Sequence, residues 1–154
     1  MKTSTMDRIE KRTVLRAPRS RVWRALTDSA EFGSWFGVRL EGPFQPGARV
    51  GGKVTFPEWE HVPFEITIVQ MEPERLFSWR WHPHMDEVGR DYSSEPTTLV
   101  VFELEEVPEG TRLTVVESGF EGIPADRLQK AFRGNESGWS GQLENIRRHV
   151  GSTP

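Results

Sequence analysis

The chain has 154 residues, 35% of them hydrophobic, and a formal net charge of −3, enough for an ordinary domain that buries about two thirds of the surface its unfolded chain exposes. It has no cysteine, which excludes thiolate catalysis, cysteine-ligated zinc and cysteinyl iron–sulfur clusters. Residues 1–56 carry a net +6 and residues 57–154 a net −9, but the basic residues are interleaved with acids and apolar positions, so no nucleic-acid partner is expected.

Residues 8–16 are β-prone and mostly alternating, and Ala17-Pro18 ends them because proline cannot donate to a ladder. Ser20 then fits an N-cap, with Val22, Trp23, Ala25 and Leu26 on one face of a short helix; Thr27-Asp28 closes it before a second turn through Phe32. Between Gly37 and Met71, turn signals at Gly42-Pro43, Pro46-Gly47 and Phe56-Pro57-Glu58-Trp59 divide the chain into three strands. The clearest of these places Phe64, Ile66 and Ile68 on one face. Residues 75–82 alternate again, with Phe77, Trp79 and Trp81 on one side and Ser78, Arg80 and His82 on the other.

Residues 83–97 have almost no apolar periodicity and read as a long loop. Residues 98–105 and 111–120 flank Val107-Pro108-Glu109-Gly110 and form a hairpin, which brings the total to about seven antiparallel strands. After Pro124, the spacing of Leu128, Phe132, Asn135, Trp139, Leu143, Ile146 and Val150 defines one face of a helix about 40 Å long. Gly134, Gly138 and Gly141 cost about 1 kcal/mol each inside such a helix and point to a close approach or a kink. No repeat or linker interrupts the chain, and residues 1–154 are expected to form one domain. No segment reaches the roughly 18 apolar residues of a membrane span, and the N-terminal residues lack a signal-peptide core, so a cytoplasmic protein without integral membrane association is expected.

Ala17-Pro18 followed by Val22 to Asp28, then Trp35-Phe36, Gly47 through Gly51-Gly52, Pro73-Glu74-Arg75-Leu76, Thr98 to Leu104, Gly110-Thr111, Ser118-Gly119-Phe120 and Gly138-Trp139 stand in a characteristic order. In that order and spacing the chain resembles, over nearly its whole length, the Hsp90-ATPase-activator-homologue-1-like (AHSA1-type) branch of the START/SRPBCC superfamily. The resemblance implies an α+β helix-grip (START/Bet v 1-like) fold. There, a curved antiparallel sheet wraps a long C-terminal helix, two short helices follow strand 1, and a deep apolar cavity lies between sheet and helix.

The resemblance places Trp35, Trp59, Trp79, Trp81 and Trp139 around that cavity, and Phe56, Phe64, Phe102 and Phe132 complete the candidate lining. Pockets that bury a small ligand are usually lined by aromatic groups with a few polar handles, although the same rings equally suit core filling. Glu117 shares a strand face with Leu113 and Val115, so alternation turns its carboxylate inward. There it is either a ligand handle short of protein partners, an acid/base group, or a strand-end side chain that reaches solvent or an arginine such as Arg49 or Arg75. Asn135 interrupts the apolar helix face one turn before Trp139 and presents its amide either to a ligand or to a strand carbonyl.

His82-Pro83-His84, Asp86, Glu87 and His61 are ligand-type residues, but Pro83 forces an extended turn and no histidine pair has i,i+4 spacing; no metal and no cofactor are expected. Ser118-Gly119 lacks a nucleophile-elbow context, and Gly47 to Gly52 lacks the Lys-Ser/Thr of a phosphate loop. The first functional expectation is a binding module for an apolar or aromatic, lipid-like small molecule. The rivals are a small cyclase- or hydrolase-like enzyme using Glu117, and a chaperone-linked interaction protein. Whether there is turnover, and the oligomeric state, stay open.

Overall fold

The computed structural model describes residues 7–57, 60, 62–83 and 91–151. Strand β1 (Arg8–Leu15) leads into helices α1 (Arg19–Thr27) and α2 (Ser29–Phe36). Strands β2 (Val38–Leu40), β3 (Arg49–Val54), β4 (Pro63–Glu72), β5 (Leu76–Trp81), β6 (Thr98–Val107) and β7 (Gly110–Ser118) follow, and α3 (Ala125–Gly151) ends the described chain. The strands form an antiparallel sheet in the order β1-β7-β6-β5-β4-β3-β2, with α3 packed against it. This is the helix-grip α+β arrangement.

The alternation of the strands decides which side is buried. In β4, Phe64, Ile66 and Ile68 point inward, and in β7 Thr111, Leu113, Val115 and Glu117 do so. The helix contributes Phe132, Trp139, Leu143, Ile146 and Val150 to the same core.

One local expectation changes. Ser20 lies inside α1 and caps nothing: Pro18 precedes the helix, and its carbonyl already accepts from the backbone N–H of Arg21 and Val22. Proline's fixed φ and missing N–H suit it to the start of a helix. Asp28 closes α1 and caps α2, its carboxylate accepting from the N–H of Ala30 and Glu31.

The described end of the 83–97 loop has the apolar anchor that its composition seemed to lack. Tyr92 is buried under the guanidinium of Arg127, 4.6 Å from the ring centroid. Arg127, itself 3% exposed, holds Glu95 at 2.9 Å and the Pro83 carbonyl at 3.1 Å. A buried pair of this kind ties the loop to the first turn of α3. The rest of the loop, residues 84–90, lies outside the described residues, as do Trp59, His61, His84, Asp86 and Glu87.

The other end of α3 is held to α1 and α2 through Glu31. Arg21 and Arg24 each approach its carboxylate at 2.7 Å, and His149 at 3.0 Å. Burial opposes ionisation of Glu31, but the hydrogen bonds from His149, Arg21 and Arg24 outweigh it and hold the carboxyl at about 2, below its ordinary 4.5. A depressed folded-state pKa stabilises above the unfolded value, and that contribution disappears as pH falls from about 4.5 to about 2. It is worth at most roughly 3 kcal/mol, trimmed by partial solvent exposure. In urea titrations followed by circular dichroism, Glu31→Gln is expected to be less stable than the parent at neutral pH. The difference should close between pH 4.5 and pH 2; a difference independent of pH would contradict this account.

Candidate functional site

The buried side of β5, β6 and β7 meets α3 at one carboxylate. Glu117 has no exposed surface, and every hydrogen bond it accepts comes from a neutral donor. Oε1 accepts from the indole Nε1 of Trp139 at 2.8 Å and from Asn135 Nδ2 at 3.0 Å. Oε2 accepts from Trp81 Nε1 at 2.8 Å, from the Thr98 hydroxyl at 2.6 Å and from Asn135 Nδ2 at 3.1 Å.

The sheet register produces this cluster. Trp81 stands opposite Thr98 and Val100 opposite Glu117, so Thr98 is a diagonal same-face neighbour of Glu117. Asn135 and Trp139 are one helical turn apart on the facing side of α3.

Neither pairing considered for Glu117 is present. Arg49 is exposed, 4.0 Å from Glu65, and Arg75 bonds to Glu72. A carboxylate has about four acceptor positions, and four protein donors occupy them, so Glu117 is not a handle short of partners. Asn135 bonds to this carboxylate and not to a strand carbonyl.

The deep space expected between sheet and helix is filled by rings in mutual contact. Trp139 lies 6.4 Å from Trp79, 5.7 Å from Phe102, 5.9 Å from Trp81 and 6.1 Å from Phe36, centroid to centroid. Trp79 is fully buried, its indole nitrogen has no partner among the described residues, and Phe32 and Phe77 meet it edge to face. Trp35 spends its N–H on the Ala25 carbonyl at 2.8 Å, tying α1 to α2. Phe132 packs on Phe120, centroids 5.2 Å apart.

Open space remains beside this core, near the C-terminal end of α2. An apolar cavity of about 440 Å³ is lined by Phe36, Val38, Val54, Phe56, Phe64 and Gln142, among others. A smaller one, about 160 Å³, is lined by Phe36, Trp81, Asn135, Gly138, Trp139 and Gln142. Phe36 and Gln142 line both. Gly37, at φ +93°, ends α2, and a Cβ there would stand 2.5 Å from the ring of Phe56, so the glycine permits that ring to close on the larger cavity.

Of the predicted lining residues, the structure brings Phe56, Phe64, Trp81, Asn135 and Trp139 to these two cavities. It places Trp79 and Phe102 in the solid core. Phe36, Gly138 and Gln142 were missed, although 135, 138, 139 and 142 share one helix face by simple spacing. The close approach predicted for the helix glycines is absent at two of them, since a Cβ on Gly138 or Gly141 would meet nothing within 4 Å. Gly138 instead borders the smaller cavity.

Among the described residues no group of three His, Asp or Glu is arranged to hold a metal, and His82 is spent on the Glu95 carbonyl at 2.9 Å. No described helix is long and apolar enough to cross a membrane.

Residues 16–151 match the family model described as activator of Hsp90 ATPase homolog 1-like protein, and the chain belongs to that family. Comparison with curated proteins found no match. Among solved structures, a protein from Mesorhizobium loti aligns with a TM-score of 0.75 at 21% identity, over 96% of this chain and 98% of that one. A protein from Arthrobacter aurescens aligns with a TM-score of 0.79 at 17% identity, over 99% and 91%. DynU16, a protein in the dynemicin biosynthetic locus, aligns with a TM-score of 0.71 at 27% identity, over 94% of this chain and 47% of that one.

The cage makes a specific demand on residue 117. Indole N–H groups only donate, so the amide nitrogen of Glu117→Gln must face at least one donor that it cannot satisfy. The variant is expected to lose about 1–3 kcal/mol, read as a fall of several degrees in Tm by calorimetry. An unchanged or raised Tm would show that the four donors do not need the carboxylate.

Proposed function

We propose that this chain binds an apolar or aromatic small molecule in the paired cavities beside Phe36 and Gln142, between the sheet and α3. The observation that carries the reading is the larger cavity: about 440 Å³, walled by Phe36, Val38, Val54, Phe56 and Phe64. That size is within the range of small-ligand sites, and the lining is of the usual apolar kind. Phe56 is 46% exposed at its rim, a large ring left uncovered where a ligand would cover it. Family membership supports the reading, because this fold commonly hosts hydrophobic ligands.

The enzyme alternative assigns acid–base work to Glu117. Its carboxylate is enclosed by Trp81, Thr98, Asn135 and Trp139 and does not line either cavity, so the geometry favours binding over proton transfer. Nothing in the described surface favours the chaperone-linked alternative over the cavity.

Alkylphenols and medium-chain fatty acids, titrated into the protein, should quench tryptophan emission saturably and raise Tm. Gly138→Leu fills the smaller cavity from its wall and should weaken the quenching tenfold or more. Gly141→Leu, three residues on and outside both cavities, should leave it unchanged. Both variants should be slightly more stable than the parent, since each removes a helix glycine. The absence of quenching and of any Tm shift across the panel would remove the binding reading.

A further inference from the structure

The polar groups on the wall of the smaller cavity are nearly all committed. Trp81 and Trp139 donate their only N–H to Glu117. Gln142 donates to the Phe36 carbonyl at 2.9 Å, and its own oxygen accepts from Asn145 at 3.1 Å. Asn135 is committed on one side only: Nδ2 donates to both oxygens of Glu117, while no donor among the described residues bonds to Oδ1.

The amide cannot turn over to hide that oxygen, because a flip would set Oδ1 against a carboxylate that can only accept. Glu117 therefore acts through Asn135 as a positioning residue. It fixes a carbonyl oxygen, on a half-buried side chain, at the wall of a cavity otherwise made of rings, a glycine and the amide of Gln142, which is bonded to the Phe36 carbonyl and to Asn145.

We infer that Asn135 Oδ1 is the specificity element of this site, and that the ligand is an aromatic or ring-bearing molecule with a hydroxyl or N–H donor on the ring and an apolar tail. The inference rests on the binding reading above and names the ligand class within it. The dimensions agree: a cavity of about 150 Å³ takes up one benzene ring, and the smaller space here is about 160 Å³. Phe36 and Gln142 line both spaces, so the 440 Å³ apolar cavity lies directly beside the ring site and suits an apolar tail. A ligand that presents an acceptor to Oδ1 meets like polarity, and one that presents a methyl group strips the oxygen of water without replacing the bond.

The test compares three probes of nearly equal shape by calorimetry and tryptophan quenching: 4-pentylphenol, 4-pentyltoluene and 4-pentylpyridine. The toluene is the most hydrophobic, so burial alone ranks it first. The donor requirement reverses that order, with the phenol expected to bind about tenfold more tightly than either competitor. In Asn135→Ala the phenol should lose this advantage while the toluene still binds.

Because Asn135→Ala also removes a donor from Glu117 and is at risk of not folding, the wild-type protein supplies a second reading. The side-chain amide resonances of Asn135 should shift on adding the phenol and stay in place with the toluene. Binding of the toluene as tightly as the phenol, a phenol preference that survives Asn135→Ala, or an unmoved Asn135 amide would each overturn the inference and leave the binding site standing. If none of the three probes binds, the inference falls together with the proposed function.

Discussion

A carboxylate sealed from solvent and paired with no cation is among the most demanding groups a protein interior can hold, and among the described residues the interior is arranged around one. Glu117 is met by two indoles, an amide and a hydroxyl drawn from β5, β6 and α3. Hydrogen bonds to a charged acceptor are the strong ones, and here they are also the ties between the sheet and the helix it grips. Replacing the carboxylate by an amide turns a donor toward at least one of these groups, so the bonds of the cluster are coupled.

The cage has consequences for the space around it. Trp81 and Trp139 have their ring orientations set by N–H bonds that point inward, so their remaining faces are what the smaller cavity is made of. The neighbouring rings of Phe36, Trp79 and Phe102 close the centre to solvent and to ligand alike. What stays open is a cavity at one end of the grip, bounded by the C-terminus of α2, the β3 and β4 strands and the middle of α3. A rigid polar core thus shapes an apolar site without contributing its charge to it, which is how the candidate site acquires both fixed walls and a single fixed acceptor.

Much of this was legible in the residues. Alternation in β4 and β7, and the three-to-four spacing along α3, place the inward faces correctly, because periodicity reports burial directly; in β5 Phe77 and Trp79 are buried as alternation requires, but Ser78, read as outward-facing, is buried too. The inward turn of Glu117 follows from the same rule. Its partners do not, because the cage depends on register: Thr98 reaches Glu117 only since β6 pairs with β7 as it does, and no local pattern states which strands pair. The same limit explains why arginines were considered as partners when donor-only indoles do the task. Ring counting also could not tell lining from filling: Trp79 and Trp81 share a strand face two residues apart, yet one is sealed in the core and the other borders a cavity. Helix propensity marked Gly138 and Gly141 as unusual, but only the packing shows that they face open space.

The central claim is that Glu117 holds the two indoles from within, and their own protons report it most directly. In a ¹⁵N-labelled sample placed in D₂O, the indole N–H resonances of Trp81 and Trp139 should exchange orders of magnitude more slowly than free tryptophan. Both should accelerate together in Glu117→Gln, because one acceptor group serves both. Exchange of either indole at the free rate in the parent protein, or acceleration of one without the other, would contradict the account.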